Sequence, residues 1–345
     1  MSEIECRKWR YRIENPPSLM HIPEPLLKCV GFLADEMPDA SGIEYDPFAT
    51  GFFVVIPSSQ SAGGFLCFVT AKHNFYDGQG GIKTPTILLN RKDGGVMTFK
   101  DYDNKAWLHP TDKSADVAVI PFNRNTEMDI VPIPLDLFIR RDELEKKKIF
   151  VGDEVYSLGL FTIAPGKQRN MPLARYGNIA MLPDEPIQVD EGFADVYLVE
   201  ARSIGGMSGS PVFVRETVAG HGRRDHPEHG EPGEIHGLGK TYLLGLMHGH
   251  WDIKESDLNK THFMLDREHG VNMGIGVVVP ADKIIETINR PELKSRRDEH
   301  EENMRKSRIP TADRARKKPK EYSHSLTRAD FEAALKKASR KIPAK

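Results

Sequence analysis

Three short motifs in this chain carry the residue types that nucleophilic catalysis by a serine requires. Ser208 lies in the sequence GMSGSP, His73 ends the sequence FVTAKH, and Asp116 opens the sequence DVAVI. A serine hydroxyl is a poor nucleophile at neutral pH, so an imidazole must take its proton and a carboxylate must hold that imidazole in the right tautomer. The sequence therefore offers Ser208 as nucleophile, His73 as base and Asp116 as the orienting acid.

The order and spacing of these motifs resemble those of a known family. Asp116 follows His73 by 43 residues and Ser208 follows Asp116 by 92, which suits one residue on each neighbouring strand or loop of two small barrels. The motifs resemble the active-site sequences of the trypsin-like (chymotrypsin-fold) serine peptidases. The resemblance implies an oxyanion hole formed by the main-chain N–H groups of Gly206 and Ser208. Because Gly206 has no Cβ, it permits a tight turn and a close approach of substrate.

Other interpretations of the same residues fit less well. An α/β-hydrolase elbow needs Gly-x-Ser-x-Gly followed by the acid and the base, whereas position 210 is a serine and both partners precede Ser208. Taken singly, the motifs also allow a Gly/Ser loop without chemistry, a hydrogen-bonded core histidine at His73 and a turn brace at Asp116. Asp112, in a turn that looks solvated, is the competing acid.

Composition limits the class of protein. The 345-residue chain is 39% hydrophobic, enough for a sizeable core, and its formal net charge of −2 is divided into −12 for residues 1–304 and +10 for residues 305–345. The N-terminus has no apolar stretch typical of a signal peptide, and no run approaches transmembrane length. The three cysteines show no disulfide pattern, so we expect a cytoplasmic protein.

Short strands punctuated by Gly, Pro, Asn and Asp predict an all-β protein. With the resemblance, they indicate two packed six-stranded antiparallel β-barrels of the trypsin-like kind, a short C-terminal helix at 281–288 and a charged tail. Strands are expected at 30–33, 51–56, 65–71, 86–89, 96–100 and 116–121, and then at 151–159, 175–181, 196–200, 210–214, 242–248 and 274–279.

The expected domains follow from these strands and from the change of composition near residue 291. Residues 291–345 indicate a charged linker and then a basic helix at 327–341, which could dock on a protein partner or on the barrels, or stay a solvated tail. No recognition motif supports nucleic-acid binding by this tail, and no membrane contact is indicated. The domains are an N-terminal extension over 1–27, a first barrel with His73 and Asp116 over 28–145, a second barrel with Ser208 over 146–290, and the linker and helix over 291–345.

Two residues depart from the family pattern. Met207 stands where zymogen-activated members carry an Asp that pairs with a newly cleaved N-terminus. A thioether cannot form that ion pair, so the resemblance is to a bacterial-type member without zymogen activation, whose oxyanion loop is held by packing or ordered by substrate or a partner. Lys72 precedes His73 where small residues are usual, and alternation along a strand would point its side chain away from the histidine.

Specificity is harder to predict from the sequence. Arg202 falls near the floor of the pocket that, by resemblance, receives the residue before the cleaved bond, and a guanidinium there would favour acidic side chains. The alternative is an exposed arginine on the loop. By resemblance, His248 and His250 line the cleft wall, where either could contact substrate or brace Asp116. The insertion at 215–240 holds four histidines without a compact metal-ligand pattern, so we expect a surface loop there and no metal site.

The sequence therefore predicts a serine endopeptidase that cleaves peptide bonds of protein or peptide substrates through an acyl-enzyme, with no metal or organic cofactor. The alternative is a catalytically silent or partner-activated binding module of the same fold, since a fold alone does not secure activity. A third class, a nucleic-acid-associated protein, would depend on the basic tail and would bind in a salt-sensitive way.

Overall fold

Runs of β-branched and aromatic residues, broken by Gly, Pro, Asn and Asp, form the strands of this chain. The computed structural model describes residues 22–39, 42–60, 64–76, 79–101, 106–189, 192–201, 205–216, 240–253 and 271–308. The chain divides into two compact units, Met1–Glu301 and Glu302–Lys345, and the first of these contains every strand described below.

The N-terminal half of this unit forms a curled sheet of seven strands. Six of them pair antiparallel in the order β5-β4-β1-β2-β3-β6, and β7 pairs parallel to β2. Within the residues that the structure describes, β5 and β6 form the two ends of the order and do not pair with each other. The strands are β1 Val30–Asp39, β2 Gly42–Ile56, β3 Phe65–Thr70, β4 Thr86–Asn90, β5 Val96–Lys100, β6 Ala118–Phe122 and β7 Ile133–Pro134.

The C-terminal half forms a closed barrel. Its six strands follow one another around the ring as β12-β15-β14-β13-β8-β9, and β10 and β11 form a separate hairpin. The all-β, two-barrel architecture predicted from the sequence is thereby confirmed, with the first barrel present as a curled half-barrel of seven strands instead of a closed ring of six. The strands are β8 Glu154–Gly159, β9 Leu173–Met181, β10 Ile187–Val189, β11 Gly192–Ala194, β12 Tyr197–Glu200, β13 Pro211–Arg215, β14 Thr241–Ile253 and β15 Val271–Pro280.

Successive side chains of β2 point to opposite faces, one into the core of the first sheet and the next into the contact between the two sheets. Phe53 is buried inside the first sheet, where its ring meets that of Phe68 edge to face at 4.9 Å between centroids. Its neighbour Phe52 points the other way, into a cluster that includes Tyr156 and Phe213 of the second barrel. Burial of each large side chain contributes about 1.5–3 kcal/mol, so this shared cluster holds the two sheets together.

Within the described residues, three α-helices accompany the strands. They are α1 Glu24–Leu27, α2 Ala281–Ile288 and α3 Pro291–Arg308. The helix expected at 281–288 therefore has the bounds of α2, and its buried Ile284 and Ile288 join the cluster between the sheets. In the described part of the chain, none of the helices is both long and apolar enough to cross a membrane.

Helix α3 lies where the sequence indicated a linker. Leu293 is 2% exposed, and the Arg297 guanidinium donates a hydrogen bond to the carbonyl of Ile288 at 2.5 Å. Further along, the His300 ring meets the Phe65 ring edge to face, and the Glu301 carboxylate accepts hydrogen bonds from both the N–H and the hydroxyl of Ser59. The charge run thus folds by resting on the first sheet, a contact that the composition of the run does not show.

Candidate active site

His73 and Asp116 lie beyond the ends of two neighbouring strands in the first sheet. Strand β3 ends at Thr70, and a 3-10 turn, Lys72–Phe75, carries His73 outward while Asn74 and Phe75 remain buried. Asp116 stands two residues before β6, which pairs with β3. The pairing of these strands brings the two side chains together although 43 residues separate them.

Ser208 comes from the second barrel, in the turn that leads into β13. Its Oγ lies 2.5 Å from Nε2 of His73. The Nδ1 of His73 lies 2.7 Å from Oδ2 of Asp116, and the main-chain N–H of His73 donates to Oδ1 of the same carboxylate at 2.8 Å. An ionised carboxylate only accepts, so the proton of His73 is on Nδ1 and Nε2 is free to accept the proton of Ser208. The three residues named from the sequence thus form one continuous hydrogen-bonded chain.

A second histidine bonds the same carboxylate oxygen. Nδ1 of His248, on β14, lies 2.6 Å from Oδ2 of Asp116, and its ring stands edge to face with that of His73 at 5.2 Å between centroids. Of the two positions that the sequence offered for His248, substrate contact or bracing of Asp116, the structure places it against Asp116.

Asp116 is buried, with its side chain 8% exposed. Burial alone would raise the pKa of Asp116, but the hydrogen bonds from His248 and His73 outweigh it and hold the pKa well below its usual range. The carboxylate is therefore ionised at neutral pH and stays an acceptor for both imidazoles.

The turn that carries Ser208 depends on glycine. Gly206 has φ +95° and Gly209 has φ +82°, a region that residues with a Cβ rarely adopt. A Cβ on Gly209 would also lie 2.0 Å from the carbonyl oxygen of Thr50. Within the described residues, the N–H groups of Gly206 and Ser208 donate no hydrogen bond to the chain. These are the two amides that the resemblance assigned to an oxyanion hole.

Met207 and Lys72, the two departures from the family pattern, have separate surroundings. Met207 is 0% exposed and packs in the interior of the second barrel. This turn is therefore held in part by packing, one of the arrangements that the sequence allowed. Lys72 donates a hydrogen bond from Nζ to the carbonyl of Lys113 at 2.8 Å, on the exposed surface.

The competing residues do not join the chain of hydrogen bonds. Asp112 accepts from the hydroxyl of Ser114 at 2.6 Å and pairs with Lys283 of α2 at 2.7 Å. Ser210 is 0% exposed, and its Oγ has no hydrogen-bond partner within the described residues. Asp112 is thus engaged in an ion pair, and Ser210 packs in the interior.

Several residues of the sequence analysis fall outside the described part of the chain. These are Arg202, the side chain of His250, residues 217–239 of the histidine-containing insertion, and the helix expected at 327–341. Their predicted roles in specificity, cleft lining and partner binding stay predictions.

Three side chains of the site could ligate a metal ion. The candidate ligand atoms of His73, Asp116 and His248 all lie within 4.8 Å of one another. However, the Nδ1 atoms of both histidines already donate to Asp116, so an ion bound there would have to displace the protons that orient His73. This arrangement favours proton transfer over metal binding.

Two residues near Ser208 were not singled out from the sequence. The Oδ1 of buried Asn74 lies 3.3 Å from the Oγ of Ser208, and its Nδ2 donates to the hydroxyl of Thr70 at 3.0 Å. The main-chain N–H of Thr50, on β2, donates to the carbonyl of Ser208 at 2.9 Å. Asn74 could have been found from its place beside His73, but nothing in the sequence signals Thr50, which meets Ser208 only through the contact between the sheets.

No family model and no curated protein matches the chain. Among solved structures, it is similar to the apo MamO protease domain from Magnetospirillum magneticum, with 14% identity, 76% of this chain and 97% of that chain covered, and a TM-score of 0.43. It is also similar to an inactive-form serine-to-alanine mutant of Rv3671c from M. tuberculosis H37Rv, with 16% identity, 81% and 95% coverage, and a TM-score of 0.39. The curled sheet and the closed six-stranded barrel, with His73 and Asp116 in the first half and Ser208 in the second, fit the two-barrel fold of the trypsin-like serine peptidases.

Proposed function

We propose that this protein is a serine endopeptidase that hydrolyses peptide bonds of proteins or peptides through an acyl-enzyme. One observation carries the proposal: the Oγ of Ser208 lies 2.5 Å from Nε2 of His73, whose Nδ1 is bonded to a buried, ionised Asp116. This geometry satisfies the requirement that nucleophile, base and orienting group lie within hydrogen-bond reach of one another.

In the first half of the reaction, Ser208 is acylated. Its Oγ attacks the carbonyl carbon of the scissile bond while Nε2 of His73 takes the hydroxyl proton. The carbonyl oxygen gains negative charge and accepts hydrogen bonds from the N–H groups of Gly206 and Ser208, which are not otherwise engaged within the described residues. His73 then gives its proton to the leaving amine, and the carbon–nitrogen bond breaks.

In the second half, water removes the acyl group. His73 takes a proton from the water as the water oxygen attacks the ester carbon, and the same two amides bind the oxyanion. The bond to Oγ breaks, Ser208 regains its proton from His73, and the carboxylic acid product leaves. Asp116 remains ionised throughout, because the hydrogen bonds that it accepts keep its pKa low.

Substrate preference and cellular setting extend the proposal beyond the residues of the catalytic chain. A preference for acidic side chains before the cleaved bond depends on Arg202, and a partner bound through residues 327–341 depends on the tail, both outside the described residues. The cytoplasmic location, the absence of a cofactor and the weak case for nucleic-acid binding stay predictions from the sequence.

Labelling with a fluorophosphonate tests the proposal, because this reagent reacts with an activated serine whatever the substrate. We expect the wild type to label and the Ser208→Ala and His73→Ala variants not to label. On any substrate found, each variant should lose about 10⁶-fold in turnover. Ser210→Ala is the matched control, since it removes a neighbouring buried hydroxyl that has no hydrogen-bond partner within the described residues.

A wild type that fails to label while folded would contradict the proposal. It would favour the alternative function, a binding module of the same fold or an enzyme that a partner must activate. Labelling that persists in Ser208→Ala would place the reactive group elsewhere in the chain.

A further inference from the structure

The oxyanion turn lacks the ion pair that an Asp before the serine could form, since Met207 occupies that position. Packing of Met207 fixes one side chain of the turn, but the direction of the amide N–H groups depends on the peptide planes. We propose that Thr50 is a positioning residue, whose hydroxyl holds this turn in the conformation that leaves the N–H groups of Gly206 and Ser208 available. The inference rests on the proposed function and concerns the same site.

Thr50 bonds both ends of the turn. Its Oγ1 donates to the carbonyl of Gly206 at 2.7 Å, and its main-chain N–H donates to the carbonyl of Ser208 at 2.9 Å. Between them, the carbonyl of Met207 accepts from the N–H of Ser210 at 3.0 Å. Each of the three successive carbonyls in the turn is therefore held by one hydrogen bond, and Thr50 supplies two of the three.

The carbonyls determine where the amides point. In a planar trans peptide, the C=O and the following N–H point in opposite directions. The bond to the Met207 carbonyl therefore fixes the direction of the Ser208 N–H. The bond from Thr50 to the Gly206 carbonyl fixes the peptide between Gly206 and Met207. With that peptide fixed, the φ of Gly206, +95°, determines the direction of its own N–H.

The Thr50 hydroxyl has no freedom to turn elsewhere. It accepts the N–H of Leu160 at 2.8 Å, so its single proton is directed to the Gly206 carbonyl. Leu160 itself backs the turn, because a Cβ on Gly206 would lie 2.9 Å from its Cγ. The carbonyl of Thr50 accepts the hydroxyl of Thr70 at 2.6 Å, and Thr50 is 0% exposed.

These contacts join three segments at one buried oxygen: β2 of the first sheet, the residue that follows β8, and the nucleophile turn. Removing the oxygen would leave the Leu160 N–H and the Gly206 carbonyl buried without their partner, and buried polar groups without partners are costly. The chain can relieve this by rotating the peptides of the turn, which moves the amides away from the developing oxyanion.

The test compares Thr50→Val, which keeps the shape and loses the hydroxyl, with Thr50→Ser, which keeps the hydroxyl. We expect Thr50→Val to lose about 10²-fold to 10³-fold in kcat, the range found for loss of one oxyanion donor, with KM unchanged. Thr50→Ser should stay within a few-fold of the wild type. The matched control is Thr287→Val, which removes a buried hydroxyl bonded to the Lys283 carbonyl on α2, far along the chain from the turn.

A second measurement separates the oxyanion turn from the His–Asp chain. The downfield proton NMR signals of the His73 and His248 bonds to Asp116 should persist in Thr50→Val, while its affinity for a peptidyl boronate, whose adduct fills the oxyanion hole, should fall. If Thr50→Val does not fold, Thr50→Cys, a weaker donor of similar size, takes its place and should show a smaller loss in kcat of the same kind.

The outcomes distinguish the two proposals. A wild type that does not react with fluorophosphonate would overturn the proposed function, and this inference with it. A reactive wild type whose Thr50→Val variant turns over as fast as the Thr287→Val control would overturn this inference alone. Equal losses in Thr50→Ser, which keeps the hydroxyl, and in Thr50→Val, which removes it, would also overturn it, because the effect would then not follow the hydroxyl.

Discussion

On the first-sheet side of the candidate active site, His73 and Asp116 are held by hydrogen bonds that meet at one buried carboxylate. On the second-barrel side, the turn around Ser208 is held mainly by main-chain hydrogen bonds, positive-φ glycines and the packing of Met207. The first side therefore depends on the charge and the donor groups of particular side chains. The second depends on the path of the backbone, so it should be sensitive to an added Cβ and insensitive to charge.

The largest effect should come from the carboxylate. We expect Asp116→Asn to lower kcat by about 10⁴-fold, because one of the two acceptor oxygens becomes an NH2 donor. This NH2 would face either the main-chain N–H of His73 or the two imidazoles, and in the second case it favours the wrong tautomer of His73. Steady-state kinetics on any substrate found, or the rate of fluorophosphonate labelling, would measure the loss. Asp112→Asn, a neighbouring carboxylate paired with Lys283, is the control and should keep full activity.

The backbone side should respond to a single methyl group. In Gly206→Ala, the new Cβ would lie 2.9 Å from the Cγ of Leu160 at a φ of +95°, so the turn must shift and the oxyanion amides with it. We expect kcat to fall about 10²-fold to 10³-fold. The control is Gly205→Ala, where a Cβ meets no heavy atom within 4 Å, and equal losses in the two variants would contradict this account.

His248 sharpens the comparison because it bonds Asp116 from the second-barrel side. His248→Ala removes one hydrogen bond to a charged group, and we expect kcat to fall about tenfold, the equivalent of roughly 1.4 kcal/mol. His248→Asn, which can still donate, should recover part of the loss. Activity of His248→Ala equal to that of the wild type would show that the bond from His73 alone orients the carboxylate.

The smallest effect concerns stability outside the site. The Lys283 ammonium and the Ser114 hydroxyl lower the pKa of Asp112 from its ordinary 3.8 to about 2. Because the folded pKa lies below the unfolded one, the stabilisation is present above about pH 4 and is lost as the pH falls toward 2. Asp112 is partly exposed, so we expect Asp112→Asn to cost only about 1 kcal/mol of unfolding free energy at neutral pH. Urea unfolding of both proteins should show this difference shrinking below about pH 4, and a constant difference would contradict the assignment.

Much of the fold could be predicted because the apolar strands bury their side chains and so must be apolar in sequence. Strand β3 and helix α2 lie close to their expected bounds. The hairpin of β1 and β2 runs further than predicted, through Asp39 and Gly42, because main-chain pairing continues where the side chains are polar. Helix α3 was missed because its support comes from the first sheet and not from its own composition.

The site shows the same division. His73, Asp116 and Ser208 could be named because catalysis demands their types in a recognisable order. The contact of His248 with Asp116 spans 132 residues and was offered only by resemblance, as one of two roles; that of Thr50 with Gly206 spans 156 and was not predicted. Both depend on how the two sheets rest against each other, a relation that no local pattern in the sequence records.

The carboxylate of Asp116 has a mechanical consequence. His73 and Asp116 belong to the first half and His248 to β14 of the second barrel, so this one oxygen links the two halves by hydrogen bonds. Sliding of one barrel past the other by an ångström would stretch the His248 bond and pull the carboxylate out of line with His73. The chain of hydrogen bonds is therefore complete only when the two barrels keep this relative position.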